Sequence, residues 1–399
     1  MSCIGPAQPA KSQISASVVD SQPEEFSPST AVTSSTRLPT VSSILQPRFS
    51  DEPLPVVPAN SSLRTWRITR EGLVQCSDAY SMGAFLDKPK TVKTNTDGQG
   101  NGLKYAMSSM QGWRVDMEDA HVVEVSMADR EPYKEWSFFA VFDGHAGSLA
   151  ADDAAQNILQ TLIDTEQFEK VTASLKSNNG VLSDECLKLM EEGIKHGFLS
   201  LDERIRQKLD TNRSGSTAVC AILTPTHIII ANLGDSRAVL SRSQEPAFGT
   251  EDHKPYNDKE RQRIEEAGGS VMIQRINGSL AVSRAFGDFE YKNVPGLPAV
   301  QQLVSPEPDV YVLKRNHEKD EFMVLACDGV YDVMENDELA NFVRGRLNVH
   351  TDLKLVCNEF FKRTRTLTIV TAVQGSSHYI TQPTGFEGRT RESPLVVIH

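Results

Sequence analysis

The stretch Trp136-Ser-Phe-Phe-Ala-Val-Phe-Asp143-Gly144-His145 decides how the fold is read. Its apolar run predicts a buried strand, and the Asp-Gly pair at its end predicts a turn. The same grammar returns in Phe322-Met-Val-Leu-Ala-Cys-Asp328-Gly329. Between and around these two strands the periodicity changes. Residues 147–163 carry apolar side chains at helical spacing (Leu149, Ala150, Ala154, Ile158, Leu159, Leu162), and 185–209 form a second helical run. Thr217–Leu223 and His227–Asn232 are β-rich and are joined by Thr224-Pro225-Thr226, a hairpin signal. Leu233-Gly-Asp-Ser-Arg237 is a turn leading into a short strand, Ala238–Ser241. Residues 258–267 are helical and stop at Gly268-Gly269; Asn336–Leu347 and Asp352–Phe361 are further helices. Strands come in consecutive runs and helices in groups. That favours an α+β protein of layered antiparallel sheets with helices outside over a doubly wound parallel sheet.

Composition narrows the function. The chain has 399 residues, 41 Lys and Arg against 53 Asp and Glu, and a net charge of −12. No basic footprint for nucleic acid is expected from that balance. Six cysteines without a C-x-x-C pair argue against a disulfide scaffold and a thiolate zinc site. Neither a membrane span nor a signal peptide is expected. The first 62 residues hold nine of the 20 prolines and many Ser and Thr, so residues 1–81 are expected to be disordered, with a short structured piece near Leu63–Val74. Gly98-Gln-Gly-Asn-Gly102 reads as a flexible lead-in and His253-Lys254-Pro255 as a turn.

The chemistry is carried by acids. Asp143 and Asp328 stand where apolar strands emerge, Asp235 in a tight turn, Asp332 four residues beyond Asp328, and Glu118-Asp119 form a further pair. Each alone has the ordinary reading of a turn residue. Together they form a set that, if it converges, cannot stay ionised unaided: two carboxylates about 4 Å apart repel by roughly 4 kcal/mol at an effective dielectric of about 20. Protons or divalent cations must neutralise them. All-oxygen ligation suits Mg²⁺ or Mn²⁺ rather than zinc, and two such ions about 4 Å apart can activate a water for in-line attack on phosphorus. His145 beside a metal carboxylate can protonate a leaving oxygen, and Arg114 can clasp phosphate with its bidentate fork. No loop has the spacing of an EF-hand.

At these residues the chain resembles the type 2C metal-dependent Ser/Thr phosphatases, in particular their animal alpha/beta branch. The resemblance lies in residues 82–90, Ser108-Ser-Met-Gln-Gly-Trp-Arg-Val-Asp-Met-Glu-Asp-Ala-His121, 138–147, Arg213-Ser-Gly-Ser-Thr-Ala218, Gly234-Asp-Ser-Arg237, Asp252-His-Lys-Pro255, 268–275, 277–285 and Ala326-Cys-Asp-Gly-Val-Tyr-Asp-Val333. It covers residues 82–359 in the family's order. It implies a four-layer α-β-β-α sandwich with two Mn²⁺ or Mg²⁺ ions between the sheets. Asp143 would bridge both ions, the Gly144 carbonyl would bind one and Asp328 the other, and Glu118 and Asp119 would act through waters. Asp235 and Asp332, with Asp328, would frame a weaker third position. Arg114 would hold the substrate phosphate and His145 would act as general acid. The implied activity is hydrolysis of phosphoserine and phosphothreonine on phosphoprotein substrates by a metal-activated water, in a monomer of the cytoplasm, with the nucleus as a second compartment.

The resemblance divides the chain into an extension (1–81), the phosphatase domain (82–359) and a divergent tail (360–399). The glycine that family members can carry N-myristoylated corresponds to Gly83, which is internal here, so no lipid is expected on it. After their last helix, family members place an Arg-Asp-Asn-Met-Ser/Thr segment whose aspartate is a metal ligand. Here no aspartate follows Asp352, and the tail runs Phe360-Phe-Lys-Arg-Thr-Arg-Thr-Leu-Thr-Ile-Val-Thr371. The alternative expectation is therefore a weakly active or inactive isoform that binds phosphoprotein partners. The β-branched run Thr366–Val373 is expected to be able to take the place of the last core strand.

Overall fold

The computed structural model describes residues 66–68, 74–76, 85–208, 213–361, 367–374 and 395–398, the first two and last two stretches as backbone only. The expectation of disorder thus falls mostly outside the described residues. Within it, Trp66–Ile68 and Val74–Cys76 pair antiparallel.

Two antiparallel sheets form the frame. The first runs in the order Asp309–Lys314, His227–Leu233, Ala218–Leu223, Ser137–Phe142, Ala120–Glu124. The second runs Phe248–Gly249, Arg237–Arg242, Asp320–Ala326, Leu367–Gln374, Leu103–Arg114, Phe85–Gly100. Strand Ser137–Phe142 is buried along its whole length because both of its faces are covered. Phe138, Ala140 and Phe142 point outward into a cluster with Ile158, Phe168, Ile194 and Phe198, from the helices Leu149–Ile163, Glu166–Ser177 and Asp184–Lys208. Phe139 and Val141 point the other way, into an interlayer shared with Val219, Ile230, Leu240, Met323 and Leu325. Strand Asp320–Ala326 mirrors this. Met323 and Leu325 enter the interlayer, while Phe322, Val324 and Ala326 meet Leu339, Val343, Val356 and Phe360 on helices Asn336–Leu347 and Leu353–Phe360. Period-two alternation with apolar residues on both faces therefore builds four layers, helix–sheet–sheet–helix.

Two expectations need correction. Gly98–Gly102 is not a loose lead-in. Phe85–Gly100 is a 16-residue edge strand, and Asn101 and Gly102, both at positive φ (49° and 71°), turn it back into Leu103–Arg114. Consecutive positive φ values make the tight turn that suits the twist of a hairpin, which Asn-Gly adopts at low cost. Helix Glu166–Ser177, absent from the sequence reading, starts on Thr165, whose hydroxyl accepts the Phe168 amide (3.4 Å). In the tail, Leu367–Gln374 lies between Asp320–Ala326 and Leu103–Arg114, with Ile369 opposite Ala326.

Candidate active site

The acids gather because the chain bends at one end of the sandwich. Asp143 and Asp328 follow interior strands of the first and second sheets. The other two segments are the crossings between sheets. Glu118-Asp119 lie between Leu103–Arg114 of the second sheet and Ala120–Glu124 of the first. Asp235 lies between His227–Leu233 of the first and Arg237–Arg242 of the second. Asp332 stands one turn past Asp328, its amide donating to the Asp328 carbonyl (2.9 Å). One cleft is lined by Arg114, Glu118, Asp119, Asp143, Gly144, Asp328 and Asp332, and it continues past His145, Asp235, Asp288 and Arg213. All nine residues singled out from the sequence face this space.

Local contacts fix them. The Asp143 carbonyl accepts from the Thr217 amide (3.0 Å), and the Thr217 hydroxyl bonds Ser236 Oγ (2.7 Å). A Cβ on Gly144 would lie 2.1 Å from the Glu118 carbonyl oxygen, so only glycine lets these two acid-bearing segments touch. Glu118 Oε1 accepts the Gly147 amide (2.6 Å), and its other oxygen is 4.0 Å from Arg114. The Arg114 guanidinium is 53% exposed at the mouth.

The electrostatics show the crowding. Burial, then the charges of Asp119, Asp328 and Asp235, push Asp143 well above the usual carboxylate range, with Arg114 opposing. Burial, then Asp235 and Asp332, push Asp328 up to about 7. Among the described residues, no group of three or more His, Cys, Asp or Glu stands in metal-holding geometry. Two of the acids are instead engaged elsewhere, Glu118 with the Gly147 amide and Asp235 with Lys254 (2.5 Å). The donor set nevertheless fits a hard divalent cation. It is all oxygen, and its mutual repulsion is what such a charge relieves.

Two residues of the cleft escaped the sequence reading. Asp288 Oδ2 sits 2.7 Å from His145 Nε2 and is 5% exposed. Burial alone would lower the imidazole pKa; the charge and hydrogen bond of Asp288, with Asp235 and Glu118, raise it overall. The signal was available, since Gly287-Asp288 ends the short strand Phe286–Gly287 with the same Gly/Asp grammar as the other acids. Lys254, in a segment read as a turn and as part of the resemblance but given no role at the site, carried no such signal.

The family model for protein phosphatase 2C matches residues 103–367. Protein phosphatase ppm-1.A of Caenorhabditis elegans is 64% identical over 311 residues, which are 77% of this chain and 66% of that protein. Human protein phosphatase 1A is 52% identical over 282 residues, 70% of this chain and 71% of that one. The chain spans a little under two thirds of the nematode relative and 56% of the bovine protein phosphatase 1B. Among solved structures, a serine-threonine phosphatase 2C from Toxoplasma gondii superposes with a TM-score of 0.56 at 22% identity, over 72% of this chain and 97% of that one, a likeness of fold.

Proposed function

Because the chain belongs to the protein phosphatase 2C family, we propose that it hydrolyses phosphoserine and phosphothreonine on proteins, with Mn²⁺ or Mg²⁺ as cofactor. The observation that carries this reading is the convergence of acids from four separate segments on one cleft that also holds Arg114 and the His145–Asp288 pair. Two ions, when bound, supply the positive charge that neutralises the acids and acidifies a water. Asp143, Asp328 and the Gly144 carbonyl would hold them directly, Glu118 and Asp119 through waters, and Asp235 and Asp332 at a weaker third position. Arg114, half exposed on the cleft, would grip a phosphate with two parallel N–H donors. His145, bonded to Asp288, would give a proton to the departing serine or threonine oxygen. The reading extends to phosphoproteins as substrates and to a monomer of the cytoplasm. Among the described residues no helix is long and apolar enough to cross a membrane. Phosphate release from a phosphothreonine peptide tests the proposal. It should require Mn²⁺ or Mg²⁺ and stop with excess chelator; full activity in chelator would overturn it.

A second reading, of a weakly active isoform that binds phosphoproteins, has support in the tail. Ile369 pairs with Ala326, two residues before Asp328, so Leu367–Gln374 takes a central place in the second sheet beside the cleft. The five residues preceding Leu367 in sequence, Lys362 to Thr366, include three basic side chains and no acid, where family members carry an aspartate. On this reading folding is preserved while cation affinity and turnover fall. Exchanging residues 360–399 for the family's usual ending and titrating Mn²⁺ separates the two, since equal affinity and equal kcat would rule out an impaired isoform.

A further inference from the structure

Lys254 is delivered to the acid cleft by a rigid frame. Segment 251–254 is laced to the turn that carries Asp235. Asn232 Nδ2 donates to the Glu251 carbonyl (3.0 Å), the His253 amide to the Gly234 carbonyl (2.9 Å), and the Gly234 amide to His253 Nδ1 (3.0 Å). Arg237 closes the lacing with a fork on Asp252 (2.8 and 2.9 Å). Gly234 holds the turn at a φ of 101°, and a side chain there would strike Thr217. Pro255 fixes the chain immediately after the lysine. The outcome is an ammonium 2.5 Å from Asp235 Oδ2, with the carboxylate side chain 6% and the lysine side chain 22% exposed. The charge of Lys254 also falls on Asp328.

Resting on the reading that Asp235, with Asp328 and Asp332, frames the weaker cation position, we propose that Lys254 is the resident cation of that position, which a divalent ion must displace in order to bind. An ammonium and a divalent ion held at contact distance on the same carboxylate repel each other strongly, so the lysine acts as a tethered competitor. Asp143, which follows strand Ser137–Phe142, two places from His227–Leu233 in the first sheet, makes no hydrogen bond or ion pair with Lys254. The competition therefore falls on the weaker third position and leaves the two positions at Asp143, which separates a tight class of ions from a weak one.

The test is Mn²⁺ binding to the full chain, followed by the electron paramagnetic resonance signal of free Mn²⁺. Lys254→Gln keeps a donor for Asp235 without the charge. It should tighten the weak class by roughly tenfold or more, the low end for changes around metal sites, and leave the tight class unchanged. Lys254→Arg should bind like the parent. Asp235→Asn should lose the weak class, and Lys254→Gln in that background should change nothing further. An unchanged weak class in Lys254→Gln, with Asp235→Asn still losing it, would overturn the proposal while leaving the cation position in place. A weak class that survives Asp235→Asn would instead remove the cation position on which the proposal rests. Circular dichroism of each variant checks the fold, and Lys254→Met, which lacks any donor, gives a second charge-free measurement.

Discussion

Asp288→Asn isolates the contribution of one buried charge to proton transfer. Asparagine matches aspartate in shape, and it tolerates the left-handed backbone that Asp288 adopts (φ 51°), so the loop should keep its path. What changes is the partner of His145. A 2.7 Å contact to a carboxylate becomes a contact to a neutral amide. A hydrogen bond to a charged group contributes roughly 1.5–3 kcal/mol, and the imidazole is 27% exposed, so the lower half of that range applies. If that contribution is spent on holding the protonated ring against the leaving oxygen, kcat on a phosphothreonine peptide should fall roughly 10- to 40-fold. The assay compares that peptide with p-nitrophenyl phosphate, whose phenolate departs without a proton. The aryl ester should lose much less, and KM for the peptide should stay near that of the parent. Equal losses on both substrates, or a rise in KM at unchanged kcat, would refute the role given to the pair.

Other consequences are measurable with ordinary variants. Arg114→Ala should raise KM for a phosphopeptide more than it lowers kcat, because a phosphate grip is made in ground and transition states alike; steady-state kinetics decide. Asp143→Asn should be the most damaging single change at the cleft, seen as loss of Mn²⁺-supported turnover. Glu260 offers a pH test away from the cleft. Burial opposes its ionisation, but the hydrogen bond from Arg284, the charges of Arg263 and Arg284, and Ser283 bring its pKa down to about 2. A depressed carboxylate stabilises the fold fully above its ordinary pKa of about 4.5 and loses that contribution as pH falls through about 2. Glu260→Gln should therefore cost about 3 kcal/mol in urea unfolding at neutral pH and flatten the stability curve across that acid window. Phe138→Ala, which empties a fully buried site beneath the helices, should cost about 3–5 kcal/mol in the same assay.

The parts of the fold legible in the sequence were those whose burial leaves a pattern. Strands Ser137–Phe142 and Asp320–Ala326 are apolar because both faces are covered, and helix Asn336–Leu347 matches its expected bounds residue for residue. Phe85–Gly100 was illegible for the opposite reason. It is an edge strand that is exposed along most of its length, so Lys, Asn, Asp and Gly are tolerated and no alternation survives. Asp309–Lys314, half-buried at the edge of the other sheet, was lost in the same way. In the cleft, the acids at strand ends and turns could be read because a carboxylate next to glycine where an apolar strand ends is conspicuous in the sequence. Asp288 carried the same Gly/Asp signal and was passed over, and the roles of Asp288 and Lys254 lie in what they touch, His145 and Asp235, 143 and 19 positions away in the chain.

With Asp143 at a strand end of one sheet and Asp328 at a strand end of the other, the core between the sheets sets the spacing of these two acids. Asp143 travels with the first sheet and Asp328 with the second, and the packed layer that includes Phe139, Val141, Leu240, Met323 and Leu325 lies between the sheets. A methylene added or removed there shifts one sheet against the other, because close-packed interiors transmit strain rather than absorb it. On the proposed reading, such a change alters the gap that a cation would fill while touching none of the acids. Selection for a larger or smaller ion could thus act on an oily layer remote from any charge, and the ratio of Mn²⁺ to Mg²⁺ preference becomes a readout of how tightly two sheets are stacked.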